Sequence, residues 1–241
     1  SPPSGDQPRP FRLRNGLFSD LRANAPVGFV PVLPLGVSGD GSVVVGYGYS
    51  FGDQEAFRWE NGVATRLGDL QDGLPRSVAY GVSADGSIVV GYGFHVPFSD
   101  EAFRWENGVM VGLGDLPGGG FFSRAYAISA DGKVIVGESE SDRGREAFRW
   151  QNGVMVGLGT LPGDARSWAF AVSSDGQVVV GHSFSQSGSL YPRAVFRWEG
   201  GVMVPVAFIT DTFSVPEPIR SAAVSADGSI IAGTAYMVNR G

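Results

Sequence analysis

The sequence predicts an all-β fold, a five-bladed β-propeller of four-stranded antiparallel blades, and three observations predict it. The first is a recurring phrase: EAFRWENG at Glu55 to Gly62 and again at Glu101 to Gly108, EAFRWQNG at Glu146 to Gly153, and AVFRWEGG at Ala194 to Gly201. The second is a phrase that runs in step with it, SGDGSVVVG from Ser38, SADGSIVVG from Ser83, SADGKVIVG from Ser129, SSDGQVVVG from Ser173 and SADGSIIAG from Ser225. A period of ~45 residues that holds four short apolar runs is the size of a propeller blade, a unit that cannot bury its faces alone. The third lies at the ends. The N-terminal Phe11 to Gly16 (FRLRNG) matches FRWENG with Leu13 in place of Trp, so the chain opens on the second half of a repeat and closes on the first half of another.

Each strand of the repeat has its own justification. In the third copy, Ala125 to Ser129 (strand A) and Lys133 to Ser139 (strand B) flank Ala130-Asp131-Gly132, where Asp can bond its own backbone and Gly accepts positive φ. Glu146 to Trp150 (strand C) and Val154 to Leu158 (strand D) flank Gln151-Asn152-Gly153, and Asn-Gly between apolar runs is a strong hairpin signal. Strand B is continuously apolar in Val43 to Val45, Ile88 to Val90, Val134 to Val136 and Val178 to Val180, so both of its faces are expected to be covered. Strand A alternates large and small: Tyr80, Tyr126 and Phe170 are expected to share a face with Val82, Ile128 and Val172. Strand C sets Phe57 and Trp59 against Arg58, repeated at Phe103, Phe148 and Phe196, which reads as packing between blades. A single domain over 1–241 follows, with repeats at about 31–75, 76–121, 122–165, 166–213 and 214–241, the last completed by 11–30. The N-terminal C and D strands (Phe11 to Arg14, Leu17 to Leu21) are expected to pair with the C-terminal A and B strands (Ser221 to Ser225, Ser229 to Tyr236), closing the ring and removing the free sheet edge.

Composition narrows the function classes. The chain has 241 residues, 37 of them Gly, with 43% hydrophobic and 17% charged, a turn-heavy all-β balance. A net charge of −6 without a basic cluster argues against nucleic acid as a partner. No apolar run is long enough to cross a membrane as a helix, and SPPSGDQPRP at the N-terminus has no signal-peptide core. There is no cysteine, which excludes disulfides and thiolate metal sites. No metal site or cofactor is expected, and His95 and His182 occupy different repeat positions, so they do not form a metal pair.

The run EAFRWENGVMVGLGDLPGG followed by SRAYAISADGKVIVG (Glu101 to Gly119, Ser123 to Gly137) resembles the repeat named HAF, found in bacterial extracellular repeat proteins and in some autotransporter passengers. Glu55, Glu101 and Glu146 stand where that repeat usually has His. The resemblance implies a secreted or cell-surface protein and brings no catalytic motif with it.

Residues common to all copies serve the shared fold, so function is sought where the copies differ. The Asp of S-x-D-G reads as turn chemistry, and the recurring Arg12, Arg58, Arg104, Arg149 and Arg197 read as structural, pairing with carboxylates such as Glu55 or Asp69 or with carbonyls. The Gly-rich Gly112 to Gly120 lacks the following helix and Gly-Lys-Ser/Thr of a phosphate loop and reads as a connector. Loops from D to A and from B to C are expected on one rim, where Trp168, Phe121, Phe122, His95, Arg124, His182 and Tyr191 are the candidate ligand-binding residues. These favour a monomeric, non-catalytic binding or adhesion module for a glycan or a surface protein. The alternative is a five-bladed glycoside hydrolase. The inner strands hold no Asp or Glu, so its carboxylate pair would come from Asp100, Glu138, Glu140, Asp142, Asp211 or Glu217 in the loops. A purely structural passenger segment is a third reading.

Overall fold

The computed structural model describes residues 9–71, 73–95, 99–185, 194–208 and 222–233. Within them the repeats become four four-stranded antiparallel sheets, flanked in sequence by two hairpins. The first hairpin is β1 (Phe11–Arg14) with β2 (Leu17–Asp20). Blade 1 follows with β3 (Phe29–Val37), β4 (Val43–Ser50), β5 (Asp53–Glu60) and β6 (Val63–Arg66). Blade 2 has β7 (Leu74–Val82), β8 (Ile88–His95), β9 (Ser99–Glu106) and β10 (Val109–Gly112). Blade 3 has β11 (Gly118–Ile128), β12 (Val134–Ser141), β13 (Gly144–Gln151) and β14 (Val154–Gly159). Blade 4 has β15 (Arg166–Val172), β16 (Val178–Phe184), β17 (Ala194–Glu199) and β18 (Val202–Phe208), and the last hairpin is β19 (Ala222–Val224) with β20 (Ile231–Gly233). Sequential meander order within each sheet is what the two turn types of the repeat dictate.

Those turns have the expected chemistry. Asn61, Asn107 and Asn152 and the glycines after them all have positive φ, the geometry of a two-residue hairpin loop with the twist of its strands. In the S-x-D-G turn, Ser129 Oγ donates to Asp131 Oδ1 at 2.7 Å and accepts from Val134 N at 3.0 Å, and the same pair recurs in every copy. The hydrogen bond from the Ser129 hydroxyl, then that from the Lys133 amide, holds the Asp131 carboxyl at about 2, below its ordinary 3.8. Asp85 and Asp227 are held at about 2 first by the corresponding Ser83 and Ser225, and Asp40 is held at about 2 first by the Ser42 hydroxyl and amide and then by Ser38.

Blades are joined through their innermost turns and their faces. Gly39 N–H donates to Ala84 O, Ala84 N–H to Ala130 O, Ala130 N–H to Ser174 O and Ser174 N–H to Ala226 O, a belt that runs through successive turns at 2.9–3.2 Å. The strand-C arginine reaches across as well: Arg12 Nη1 to Gly41 O, Arg58 Nε to Gly86 O and Arg149 Nε to Gly176 O. Arg58, Arg104 and Arg197 also pair with the carboxylate two residues on, Glu60 for Arg58 at 2.8 Å, rather than with Glu55 or Asp69, because residues two apart on a strand share a face. Strand B is buried on both faces as expected. Val43 and Val45 pack with Val89 and Phe103 of blade 2, while Val44 packs the other way with Leu21, Phe57 and Trp59. The same division recurs between blades 2 and 3, around Val90, Ile135 and Phe148, and between blades 3 and 4, around Val134, Val179 and Phe196.

One expectation fails. Tyr80, Tyr126 and Phe170 do not continue the alternation with Val82, Ile128 and Val172, because strand A carries a bulge there: Ala79 opposes Gly91 and Gly81 opposes Val90, leaving Tyr80 as the extra residue. Blades 3 and 4 skip Tyr126 and Phe170 in the same way, and blade 1 skips Leu35. The bulge brings the preceding strand-A carbonyl so close to Gly46, Gly91, Gly137 and Gly181 that a Cβ would overlap it, which explains the invariant glycine after each apolar triplet.

The N-terminal hairpin holds the strand-C position before blade 1, with Arg12 on Gly41 O and over Trp59 at 4.7 Å, and the C-terminal hairpin holds the strand-A position after blade 4. Among the described residues each hairpin is a separate two-stranded sheet.

Two outcomes are expected. Gly137→Ala lowers stability by about 1–3 kcal/mol, read as a lower urea midpoint, because backbone rather than a flexible side chain obstructs the new methyl. The lowered turn aspartates contribute stability that is complete above pH 3.8 and is lost as pH falls through about 2. Thermal melts followed by circular dichroism from pH 5 to 2 should show this fall, and Asp131→Asn should flatten it.

Candidate functional site

The rim that carries the B-to-C turns and the D-to-A connectors is built on three fixed devices. A serine of strand A clips each of blades 2, 3 and 4 to the one before. Ser77 Oγ accepts from Ala56 N and donates to Gly68 O, Ser123 Oγ accepts from Ala102 N and donates to Gly114 O, and Ser167 Oγ accepts from Ala147 N and donates to Gly159 O. A leucine of the connector, Leu70, Leu116 or Leu161, is buried in the inter-blade core. The glutamate of EAFRW closes the connector: Glu101 accepts from Gly114 N at 3.0 Å and Glu146 from Gly159 N at 2.7 Å. Glu101 and Glu146 are buried, which explains the glycines at 112 and 157, where a Cβ would strike the carboxylate.

Above these devices the copies diverge, and two notches open. The one between blades 2 and 3, of about 370 Å³, is lined by Phe121, Phe122 and Arg124 together with Arg76, Phe94, Ser99, Asp100, Gly120, Glu140 and Arg145. Three of the candidates read from the sequence meet here. A fourth, His95, packs at a tilt against Phe121 with ring centroids 5.0 Å apart and sets Nδ1 3.3 Å from Glu101. The second notch, of about 540 Å³, lies between blades 3 and 4 and shares Glu140 and Arg145 with the first; Arg143, Thr160, Asp164 and Arg166 also line it. Arg145 thus stands on the ridge between the two.

The polar side chains here are closely coupled. Arg124 makes two hydrogen bonds to Asp100 Oδ2 and lies over the rings of Tyr92, at 4.6 Å, and Phe122, at 5.2 Å. Tyr126 donates its hydroxyl to the buried Glu138, and burial first, then the Glu138 charge, raises the phenol well above its ordinary value. Arg145 is 3.9 Å from Glu138 and rests on Phe122 at 3.8 Å. Tyr80, Tyr126 and Phe170, the three bulge residues, touch one another across blade boundaries at 5.3 and 5.4 Å. This row cannot be read from the sequence, since the bulge that aims it is invisible in a pattern of alternation.

Trp168 and His182 sit one blade further on. Trp168 packs on Phe184 at 4.4 Å under Arg166, and the fully buried His182 meets Phe170 edge to face at 5.2 Å. Burial lowers the His182 imidazole from 6.5 to about 4, so the ring is neutral near pH 7. Tyr191, Asp211 and Glu217 lie outside the described residues. Among the described residues no three His, Asp or Glu side chains gather as metal ligands, and no helix is long and apolar enough to cross a membrane. Removing one member of the Arg124 and Asp100 pair, as in Asp100→Leu, is expected to cost about 3 kcal/mol in urea unfolding. The double variant with Arg124→Leu should recover part of that loss, because no unpaired charge then stays buried.

No protein-family model matches the chain, and no curated protein matches it. Solved structures do. A protein described as TolB from Agrobacterium tumefaciens superposes with a TM-score of 0.62 at 16% identity, over 95% of this chain and 83% of that one. TolB from Acinetobacter baumannii superposes with a TM-score of 0.60 at 15% identity, over 87% of this chain and 50% of that one, so this chain spans half the length of that protein. At such identity the likeness is one of fold: the four-stranded antiparallel sheets are blades of a β-propeller, as in those two proteins.

Proposed function

We propose that this protein is a non-catalytic binding propeller, secreted or held at a bacterial cell surface, whose rim takes a glycan or a surface protein. The observation that carries the reading is the notch between blades 2 and 3. There the non-repeated residues Phe121, Phe122, Arg124 and Arg145 converge on one concavity, while the repeated residues beneath it are occupied in holding the fold. An exposed ring beside charged and hydroxyl groups suits a partner with one apolar and one polar face. The HAF-like phrases support the extracellular setting. Ring closure belongs to the same proposal: the N-terminal hairpin supplies strands C and D, and the C-terminal hairpin strands A and B, of a fifth blade.

Phe121→Ala is the test of the binding reading. Phe121 is 41% exposed, so its truncation leaves the melting temperature unchanged while lowering binding on a broad glycan array or in a cell-surface pull-down. Absence of any ligand for the wild-type protein at high micromolar concentration would count decisively against the proposal. For ring closure, deletion of residues 1–22 is expected to lower the thermal midpoint and broaden unfolding; cooperative unfolding at an unchanged midpoint would sink the fifth blade.

A second reading, glycoside hydrolysis, rests on Glu138. It is buried, accepts from Tyr126 and has Arg145 above it, contacts that favour the ionised carboxylate a nucleophile or general base needs. Turnover of an arylglycoside that disappears in Glu138→Gln would put this reading first.

A further inference from the structure

The contacts already made in the notch between blades 2 and 3 define what it lacks. Arg124 and Asp100 are committed to each other. Arg145 lies over Phe122 at 3.8 Å, and among the described residues its single ion contact, to Glu138 at 3.9 Å, is beyond hydrogen-bond reach and its guanidinium donates no hydrogen bond. Arg76 lies over the Phe94 ring at 5.6 Å and among the described residues has neither an ion pair nor a hydrogen bond from its guanidinium. Glu140 also faces the notch, and its carboxylate has no hydrogen-bonding or ion-pair partner among the described residues. The open groups are therefore two guanidinium forks, one carboxylate and the exposed ring of Phe121.

A guanidinium that lies over an aromatic face and donates to no protein group keeps its N–H donors free, and their fork matches a carboxylate bidentately. Two such edges beside one acceptor carboxylate fit a ligand that carries a negative group and a hydroxyl donor together, and the Phe121 ring asks for an apolar face on the same body. A neutral sugar leaves both forks without an anion. A plain acidic side chain leaves Phe121 and Glu140 without partners.

We propose that this notch binds a carboxylate-bearing sugar, a uronate residue, with its carboxylate held by Arg76 and Arg145, its hydroxyl donated to Glu140 and its ring face on Phe121. The assignment rests on the binding-module reading above and specifies its ligand class. Its volume of about 370 Å³ suits one or two sugar units at an open rim.

Calorimetric titration of the intact protein with trigalacturonate and triglucuronate, with the carboxyl-reduced trimers and with an oligoglutamate peptide, tests it. A uronate trimer is expected to bind, its reduced form at least tenfold more weakly, and Arg76→Gln and Arg145→Gln are each expected to weaken uronate binding about tenfold to a hundredfold. Arg76 is exposed, so Arg76→Gln decides the matter even if Arg145→Gln disturbs folding. Equal affinity for the reduced trimer, indifference to Arg76→Gln, or failure of both uronates to bind overturns the acidic-sugar assignment. In each case the binding-module reading survives if another glycan or a surface protein binds and Phe121→Ala weakens it. Tighter, Arg76-dependent binding of oligoglutamate overturns the sugar in favour of an acidic peptide. Absence of every ligand overturns both readings.

Discussion

A blade of this size cannot bury two sheet faces on its own, so everything in the molecule depends on how one blade is fastened to the next. The fastening is polar at both ends of strand A. At one end the S-x-D-G turns hydrogen-bond to one another through backbone amides in succession. At the other, Ser77, Ser123 and Ser167 each join the strand-C amide and the connector carbonyl of the preceding blade. Between these two fixed lines the apolar triplets of strand B divide their side chains between both neighbours, and the Phe and Trp of strand C fill the space. Polar clips set the spacing and register, and apolar burial supplies most of the stability.

The bulge in strand A follows from the same economy of space. A regular strand would send the large residue at 80, 126 or 170 into an inter-blade layer already filled by Val, Phe and Trp. The extra residue turns it out of that layer, and the close approach this creates requires glycine on strand B. A row of rings in contact across three blades results, and the polar group that follows each strand-B glycine lies beside it: Tyr92, Glu138 or His182.

The strands, both turn types and the covering of strand B were legible because each depends on local pattern: Asn-Gly at hairpins, Asp-Gly after a serine, three branched residues in a row. Notch-lining Phe121, Phe122 and Arg124 could be singled out because they break the repeat. The bulge was not legible, since it leaves the residue types unchanged and alters only which of them is paired. The serine clips were also hidden: a lone Ser in strand A reads as ordinary strand chemistry until its two partners, an Ala amide and a Gly carbonyl of the preceding blade, are brought to it by stacking. The connector leucines were masked in the same way by the glycines around them, although their burial shows that the connector is core as much as loop.

Equivalent positions at successive blade boundaries exchange chemistry on an unchanged backbone. Asp100 in blade 2 corresponds to Arg145 in blade 3, Tyr92 to Glu138 and then His182, and Arg124 to Trp168, each set held by the same strand register. Between blades 2 and 3 the carboxylate is on strand C and the arginine on strand A, and they close on each other. Between blades 3 and 4 the arginine is on strand C, its strand-A counterpart is a tryptophan, and the carboxylate has moved to strand B, where a tyrosine already donates to it. Arg145 is thereby left on the ridge between the notches with an aromatic floor and a distant counter-ion. A repeat fold lets this happen at little cost, because the clips that fix each blade lie below the exchanged positions, and a residue can change its charge at the rim without disturbing the belt that holds the array together.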